Sequence, residues 1–312
     1  MIKGLAFGLC AMKICNVNDG STNAPRLTLY GNAWGLLELP QRPSKQTWAF
    51  EVVLDKIREA GFEGMQADAS SASVVRKHGL RFAASGRVNS PLDTDDVINH
   101  AADVGADAVT LHVGWGMETD AEMDAYAQSV LEAAQAHHMP VFIETHRATM
   151  VQDIYRTHCL LQRWPDLRFN GDFSHYYCGA EMTYQGFDIT RSYLLPILQR
   201  VGFFHGRVSN AECIQVDAVD AGDGQTNAHG RDFLWMWETG ATFWLKQAHQ
   251  GDILPFAPEL GPPSSGYSLT YVRNGELAEL SDRWAQTLVL ARLAQQAFEN
   301  AAMISRGTVP SP

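Results

Sequence analysis

The sequence predicts one (β/α)₈ barrel of the α/β class, built as a single domain. From about residue 27 onward, short apolar runs alternate with longer amphipathic segments, the pattern of parallel strands joined by crossover helices. Eight such pairs can be counted. A glycine follows three of the predicted helices, at Gly61, Gly79 and Gly105, where a left-handed residue ends a helix. A chain of 312 residues accommodates one barrel, which takes roughly 250 residues.

The apolar runs give the strands, and the amphipathic segments between them give the helices. The predicted strands are Leu27–Tyr30, Gly64–Ala67, Leu80–Ala84, Ala108–Val113, Val141–Glu144, Phe169–Asp172, Val201–His205 and Ile253–Phe256. The predicted helices are Thr47–Ala60, Ser71–His78, Thr94–Val104, Ala121–His138, Met150–Trp164, Ile189–Gln199, Asp232–Gln250 and Leu277–Ala301. One helix therefore follows each strand.

Two predicted connections are too long to be plain turns, namely Phe173–Asp188 and Gly206–Arg231. Both follow the carboxyl ends of strands, where barrel enzymes carry their chemistry, and long ordered loops in a compact domain are usually functional. The expected organisation is an N-terminal arm without periodic pattern over residues 1–26, a TIM-barrel domain over 27–305 and a C-terminal tail over 306–312.

The composition argues against several classes of protein. A formal charge of −11 and a pI near 5.4 would repel a phosphate backbone, so nucleic acid is not an expected partner. No apolar run approaches the roughly 20 residues needed to cross a bilayer, and membrane insertion is not expected. The apolar stretch Leu5–Met12 is short and lacks a clean cleavage site, which argues against a secretory signal.

The cysteines favour a reducing compartment. There are five, an odd number, and they are scattered without a C-x-x-C pair, at Cys10, Cys15, Cys159, Cys178 and Cys213. This pattern suggests neither a disulfide framework nor a zinc-thiolate site. The expected location is the cytoplasm.

Four residues of ligand type end four consecutive predicted strands. Side chains alternate across a strand, so Glu144 shares the inward face with Phe142, and the same parity turns Asp172 and His205 inward. Glu259 stands at the tip of the last apolar run. The sequence therefore predicts that these four side chains meet at the mouth of the barrel.

Charges isolated in a barrel mouth carry a large desolvation cost, which a cation shared by three carboxylates and one imidazole would offset. The sequence thus predicts a metal site made by Glu144, Asp172, His205 and Glu259. An oxygen-rich set with one nitrogen and no thiolate favours Mn²⁺, Mg²⁺ or Co²⁺ over a structural zinc, while catalytic Zn²⁺ stays open. Mn²⁺ is the first choice.

At these positions the sequence resembles the xylose-isomerase-like TIM-barrel superfamily of sugar isomerases, ketose 3-epimerases, inosose dehydratases and apurinic endonucleases. The resemblance spans roughly residues 27 to 300, and its order and placement are more specific than any single piece. The motifs are Gly61-Phe62-Glu63-Gly64-Met65-Gln66, Phe142-Ile143-Glu144-Thr145-His146, Gly171-Asp172-Phe173-Ser174-His175, His205-Gly206-Arg207 and Pro258-Glu259. The family often has Glu where this chain has Gln66.

The resemblance implies a metal-dependent sugar isomerase or epimerase. In the epimerase-like members the matching quartet binds one metal, and the two glutamates, here Glu144 and Glu259, lie on opposite faces of the substrate. One would take a proton next to a carbonyl and the other would return one, through a metal-stabilised enediolate. By similarity, His175 and Arg207 would bind substrate oxygens beside the metal.

Further substrate contacts are expected from residues at the strand ends. His112 faces inward, although it reads equally well as a hydrogen-bonded core histidine. Trp34 and Trp115 follow strand ends, where an aromatic face stacks on a sugar or simply covers the core. Gln66 can hydrogen-bond a hydroxyl but cannot act as a base.

Three other functions stay open. A lyase, such as an inosose dehydratase or a C-glycoside-cleaving enzyme, shares the first proton abstraction. An apurinic endonuclease-like hydrolase is less favoured, because the predicted third strand ends at Ser85 without a histidine and the chain is acidic. A non-catalytic sugar-binding protein is the last alternative. The expected partner is a small sugar or modified sugar, in a homo-oligomer or with a second subunit.

Overall fold

The computed structural model is a closed parallel barrel surrounded by helices, and it describes residues 14–39, 47–219 and 225–307. The strands of the main sheet are β1 (Val17–Asn18), β2 (Arg26–Asn32), β3 (Gly64–Asp68), β4 (Arg81–Val88), β5 (Val109–Val113), β6 (Val141–Glu144), β7 (Phe169–Gly171), β8 (Val201–Gly206) and β9 (Asp252–Pro258). β2 to β9 run parallel, and β9 pairs with both β2 and β8, which closes the ring. The chain is therefore a single-domain TIM barrel, as predicted.

The helices pack around this ring. They are α1 (Phe50–Glu59), α2 (Ala72–Lys77), α3 (Thr94–Asp103), α4 (Asp120–Ala136), α5 (Ile154–Arg163), α6 (Ser174–Gly179), α7 (Met182–Gln185), α8 (Phe187–Leu198), α9 (Ala228–Leu245) and α10 (Arg283–Ser305). Each predicted helix overlaps an observed one. The predicted long connection after β7 contains α6 and α7 and the first residues of α8.

Aromatic rings fill the barrel below its mouth. Alternation along the strands turns Tyr30, Phe142 and Phe203 inward, and the ring centroids of Tyr30 and Phe142 lie 6.0 and 6.3 Å from that of Phe203. At the opposite end, Val17 of β1 pairs antiparallel with Ile253 and is buried with this cluster. These rings form an apolar floor beneath the mouth of the barrel.

The chain departs from the prediction after β9. The helix expected from Leu277 begins instead at Arg283, and the preceding residues form a hairpin of β10 (Thr270–Arg273) and β11 (Glu276–Glu279). Asn274 and Gly275 form its turn with φ values of 53° and 79°, the positive angles that a two-residue hairpin turn requires. The Asp282 carboxylate accepts a hydrogen bond from the N–H of Ala285 and caps the helix where it begins.

The ends of the chain are only partly described. Residues 1–13 of the predicted arm and residues 308–312 of the predicted tail lie outside the described residues. The described part of the arm contributes β1 to the main sheet. In the described ranges, no helix combines the length and apolar character needed to cross a membrane.

We expect Gly64→Ala to destabilise the barrel, because a methyl group added there would overlap the buried ring of Tyr30. Overpacking of this kind costs about 1–3 kcal/mol. The measurement is the free energy of unfolding from a urea titration. Gly179→Ala is the matched control, since a methyl group at that position meets no atom within 4 Å. Equal stability of the two variants would contradict the tight packing of the barrel interior.

Candidate metal centre

Four neighbouring strands bring the predicted quartet together. Glu144 ends β6, Asp172 directly follows β7, His205 lies in β8, and Glu259 directly follows β9. All four side chains are buried, and their potential ligand atoms lie within 4.8 Å of one another. The convergence follows from the parallel barrel, because the carboxyl ends of its strands meet at one rim.

His205 lies between the two glutamates. Its Nδ1 is 3.4 Å from an oxygen of Glu144 and 3.1 Å from an oxygen of Glu259. On the other side of the ring, Nε2 lies 2.8 Å from Oε1 of Gln66, whose own amide donates to the hydroxyl of Thr110 at 2.6 Å. Because Gln66 Oε1 can only accept, Nε2 carries a hydrogen, and Nδ1 faces the carboxylates.

Arg207 bridges Asp172 and Glu259. Its Nη2 donates to Asp172 and, at 2.6 Å, to Glu259, while its Nε donates to the hydroxyl of Ser174 at 3.1 Å. The Ser174 hydroxyl and N–H in turn donate to Asp172 Oδ1, at 2.5 and 3.1 Å. The guanidinium is 1% exposed, so its charge is used within the protein interior.

Electrostatics at the centre keep the carboxylates of Asp172 and Glu144 ionised. Burial would raise the pKa of Asp172, but Arg207 and His175 together outweigh burial and hold that pKa well below its usual range. Burial would likewise raise the pKa of Glu144, and the charges of His112 and His205 lower it instead. For His205, burial favours the neutral ring, yet Glu259 and Glu144 raise the pKa to about 10.

The quartet could hold a divalent cation. It offers carboxylate oxygens from three residues and one imidazole nitrogen, a set that suits hard and borderline metals. His205 Nδ1 is buried and makes no hydrogen bond of its own in the described part of the chain, although both glutamates lie beside it. A cation shared with those glutamates would replace the proton on Nδ1, and Gln66 would keep the ring oriented.

Three histidines line up next to Glu144. His112 Nε2 is 3.0 Å from Oε1 of Glu144, and its ring packs against His146 at a centroid distance of 4.3 Å. His146 also packs against His175 at 4.0 Å, and His175 Nε2 lies 3.5 Å from Asp172. Burial, followed by the charge of His175, lowers the pKa of His146 to about 3, so that ring is neutral near pH 7.

A pocket of about 630 Å³ opens onto the centre. Its lining includes Glu144, His205 and Glu259 of the quartet, and the predicted substrate contacts His112, Gln66, Arg207 and Trp34. Two other predicted contacts lie elsewhere. His175 is buried beside Asp172, and Trp115 is 55% exposed outside the lining, with the guanidinium of Arg87 4.0 Å from its ring centre.

Asn32 is a site residue that sequence reasoning missed. Its amide nitrogen donates to Oε1 of Gln66 at 2.9 Å and to Oε1 of Glu259 at 3.0 Å. The residue shares the inward face with Thr28 and Tyr30, so a strand prediction extended by two residues would have found it.

Tyr267 is a second missed residue. Its ring centre lies 4.8 Å from the guanidinium of Arg207 and 5.1 Å from the ring centre of Trp34, and its hydroxyl is 3.2 Å from Nε2 of His146. A Cβ atom at Gly261 would lie 2.5 Å from the Trp34 ring and 2.9 Å from the Tyr267 ring, so this glycine lets the two rings meet. Tyr267 lies in a loop, so the alternation of side chains along a strand cannot predict its position.

The sequence itself matches no model of a known protein family and no curated protein. Solved structures do match. An L-ribulose 3-epimerase gives a TM-score of 0.56 at 13% identity, covering 92% of this chain and 99% of its own. A sugar phosphate isomerase/epimerase from Parabacteroides distasonis gives 0.50 at 11% identity, covering 94% and 98%.

A third match is a fusion protein that joins a xylose isomerase-like TIM barrel to 4-hydroxyphenylpyruvate dioxygenase. It gives a TM-score of 0.53 at 12% identity, covering 92% of this chain and 45% of the fusion. At these identities the likeness is one of fold. The chain has the fold of the xylose-isomerase-like TIM barrels, which its sequence motifs predicted.

Proposed function

We propose that the protein is a divalent-metal-dependent isomerase or epimerase, which removes a proton next to the carbonyl of a small sugar. One observation carries this proposal: two buried glutamates, Glu144 and Glu259, line the same pocket, and each has a carboxylate oxygen within 3.4 Å of Nδ1 of His205. The names of two proteins of similar fold, an L-ribulose 3-epimerase and a sugar phosphate isomerase/epimerase, agree with it.

Glu144, Asp172, His205 and Glu259 would hold the cation, with Mn²⁺ as the first choice. When bound, a divalent cation polarises a carbonyl oxygen and stabilises the negative charge that develops on it as the neighbouring C–H bond breaks. Asp172 does not line the pocket, so its carboxylate serves the cation and Arg207 rather than the substrate.

The two glutamates would move the proton. Glu144 is held as a carboxylate beside His112, which fits a group that accepts a proton. Glu259 receives hydrogen bonds from Asn32 and Arg207, and these fix its carboxylate toward the pocket. Glutamates on two sides of one substrate carbon would let one remove a proton and the other return it to the opposite face.

The surrounding residues would bind and orient the sugar. Arg207 lines the pocket, and its buried Nη1, which has no hydrogen-bond partner among the described residues, would donate to an oxyanion on the substrate. Trp34 offers an aromatic surface to sugar C–H groups, and Gln66 and His112 offer polar contacts. His175, buried beside Asp172, would act on the substrate only if the neighbouring His146 ring moved.

We expect the protein to bind a single Mn²⁺ ion, and Asp172→Asn to weaken that binding by at least about tenfold, because the variant loses an anionic ligand. Isothermal titration calorimetry on chelator-treated protein measures the affinity. Asp68→Asn is the matched control: Asp68 lies at the pocket rim outside the quartet and caps the N–H of Ser70 at 2.9 Å, as an asparagine also can. Undiminished affinity in Asp172→Asn would exclude the proposed centre.

We expect a reactive keto-sugar in D₂O to incorporate deuterium next to its carbonyl without losing water. Glu144→Gln and Glu259→Gln should each slow this exchange by about 100-fold or more, the usual contribution of a general acid or base. Proton NMR measures the loss of the exchanging proton signal in a panel of keto-sugars. Each variant is saturated with Mn²⁺, so that a slower exchange does not reflect loss of the metal. Unchanged exchange in either variant would contradict the two-glutamate mechanism, and loss of water would identify a lyase instead.

A further inference from the structure

The pocket has two chemically different ends. The quartet comes from β6 to β9, whereas the lining residues Ser85 and Arg87 belong to β4. In the closed ring of strands, β4 is four positions from β8 in either direction, so Arg87 lies across the barrel from His205. A ligand that reaches from one end to the other therefore meets the carboxylate-rich centre and an arginine.

Arg87 is held in place by neutral groups. Its Nε donates to Oδ1 of Asn89 at 3.0 Å, and its Nη2 donates to the carbonyl of Gly114 at 2.9 Å. The guanidinium lies 4.0 Å from the ring centre of Trp115, a stacking contact that restricts its orientation. No carboxylate is among the contacts of Arg87 in the described residues. Because a guanidinium has five N–H donors, three stay available in a fixed plane.

The second arginine of the lining differs in this respect. Arg207 forms ion pairs with Asp172 and Glu259, which neutralise its charge. Two acidic residues on the Arg87 side bind backbone N–H groups instead: Asp68 accepts from Ser70 at 2.9 Å, and Glu118 accepts from Trp115 and Gly116 at 2.5 and 2.8 Å. Arg87 is therefore the lining arginine whose charge the described carboxylates leave unneutralised.

We propose that Arg87 forms an anion subsite, and that the substrate carries an oxyanion, a phosphate or a carboxylate, at the end remote from its reacting carbonyl. A planar guanidinium held by side contacts suits bidentate binding of either group. The hydroxyls of Ser71 and Ser85 lie in the same lining and can donate further hydrogen bonds. This assignment gives Trp115 the task of positioning Arg87 rather than contacting the sugar.

The size of the pocket agrees with such a substrate. Its volume of about 630 Å³ lies within the range of sites that enclose ligands larger than a bare sugar, roughly 300–1,000 Å³. The orientation of the ligand, with its carbonyl at the quartet, rests on the proposed function. The presence of the anion subsite does not, because it is a property of binding and can be measured without turnover.

The test compares ligands that share one carbon skeleton and differ at the far end. Calorimetry on Mn²⁺-saturated protein measures the affinities of D-fructose, D-fructose 6-phosphate and D-fructuronate. We expect at least one anionic ketose to bind about tenfold or more tightly than fructose, since hydrogen bonds to a charged group contribute that much. The preferred ligand distinguishes phosphate from carboxylate, and added salt should reduce the preference.

Substitutions then assign the preference to Arg87. Arg87→Gln should reduce the affinity for the anionic ketose to that for fructose and leave fructose binding unchanged. Arg87→Lys keeps the positive charge but loses the bidentate guanidinium, so it should give an intermediate preference. A graded series of this kind would not result from a folding defect in Arg87→Gln. Arg58→Gln, a change at an exposed arginine of α1, is the matched control and should bind like the wild type.

Two outcomes would overturn the subsite: equal affinity of the wild type for all three ketoses, or a preference that Arg87→Gln retains. Either result, together with deuterium exchange in fructose, would leave the proposed function standing. An Arg87-dependent preference for an anionic ketose, without exchange in any ketose, would support the subsite and count against the proposed isomerase chemistry.

Discussion

The site depends on the placing of three buried carboxylates within a few ångströms of one another. Glu144, Asp172 and Glu259 would repel one another in a medium that solvates charge poorly, so each needs a positive partner or several hydrogen-bond donors. His205 and Arg207 supply the positive charge, the first between the glutamates and the second between Asp172 and Glu259. In the proposed function, the same carboxylate oxygens would be shared with a divalent cation, which would account for the negative charge collected at one point.

The barrel supports the buried carboxylates on a layer of apolar side chains. Below the centre, the rings of Tyr30, Phe142 and Phe203 fill the interior and form a buried apolar layer beneath the carboxylates. Strand alternation then places polar residues one layer higher on the same strands, as with Asn32 above Tyr30. In the closed sheet, the aromatic layer therefore contributes to stability, and the polar layer above it carries the candidate site.

The strand-end residues were predictable because parity and parallel pairing leave little freedom. Glu144 and His205 follow inward aromatic residues by two positions, which is enough to place them at one rim. Tyr267 was not predictable, since a loop folds back over the mouth only through contacts such as those that Gly261 permits. The hairpin turn at Asn274 and Gly275 carried its own signal, an Asn-Gly pair, in a stretch before the predicted helix that was given no element.

Gln66 is the clearest departure from the sequences that this chain resembles, and its contacts explain why an amide suits the position. Its oxygen accepts from His205 and Asn32, while its nitrogen donates to Thr110. A glutamate could accept both bonds but could not donate the third, and it would add a fourth carboxylate to a crowded centre. The amide therefore orients His205 without more negative charge, and in the proposed mechanism proton transfer falls to Glu144 and Glu259, the members of the quartet whose carboxylates line the pocket.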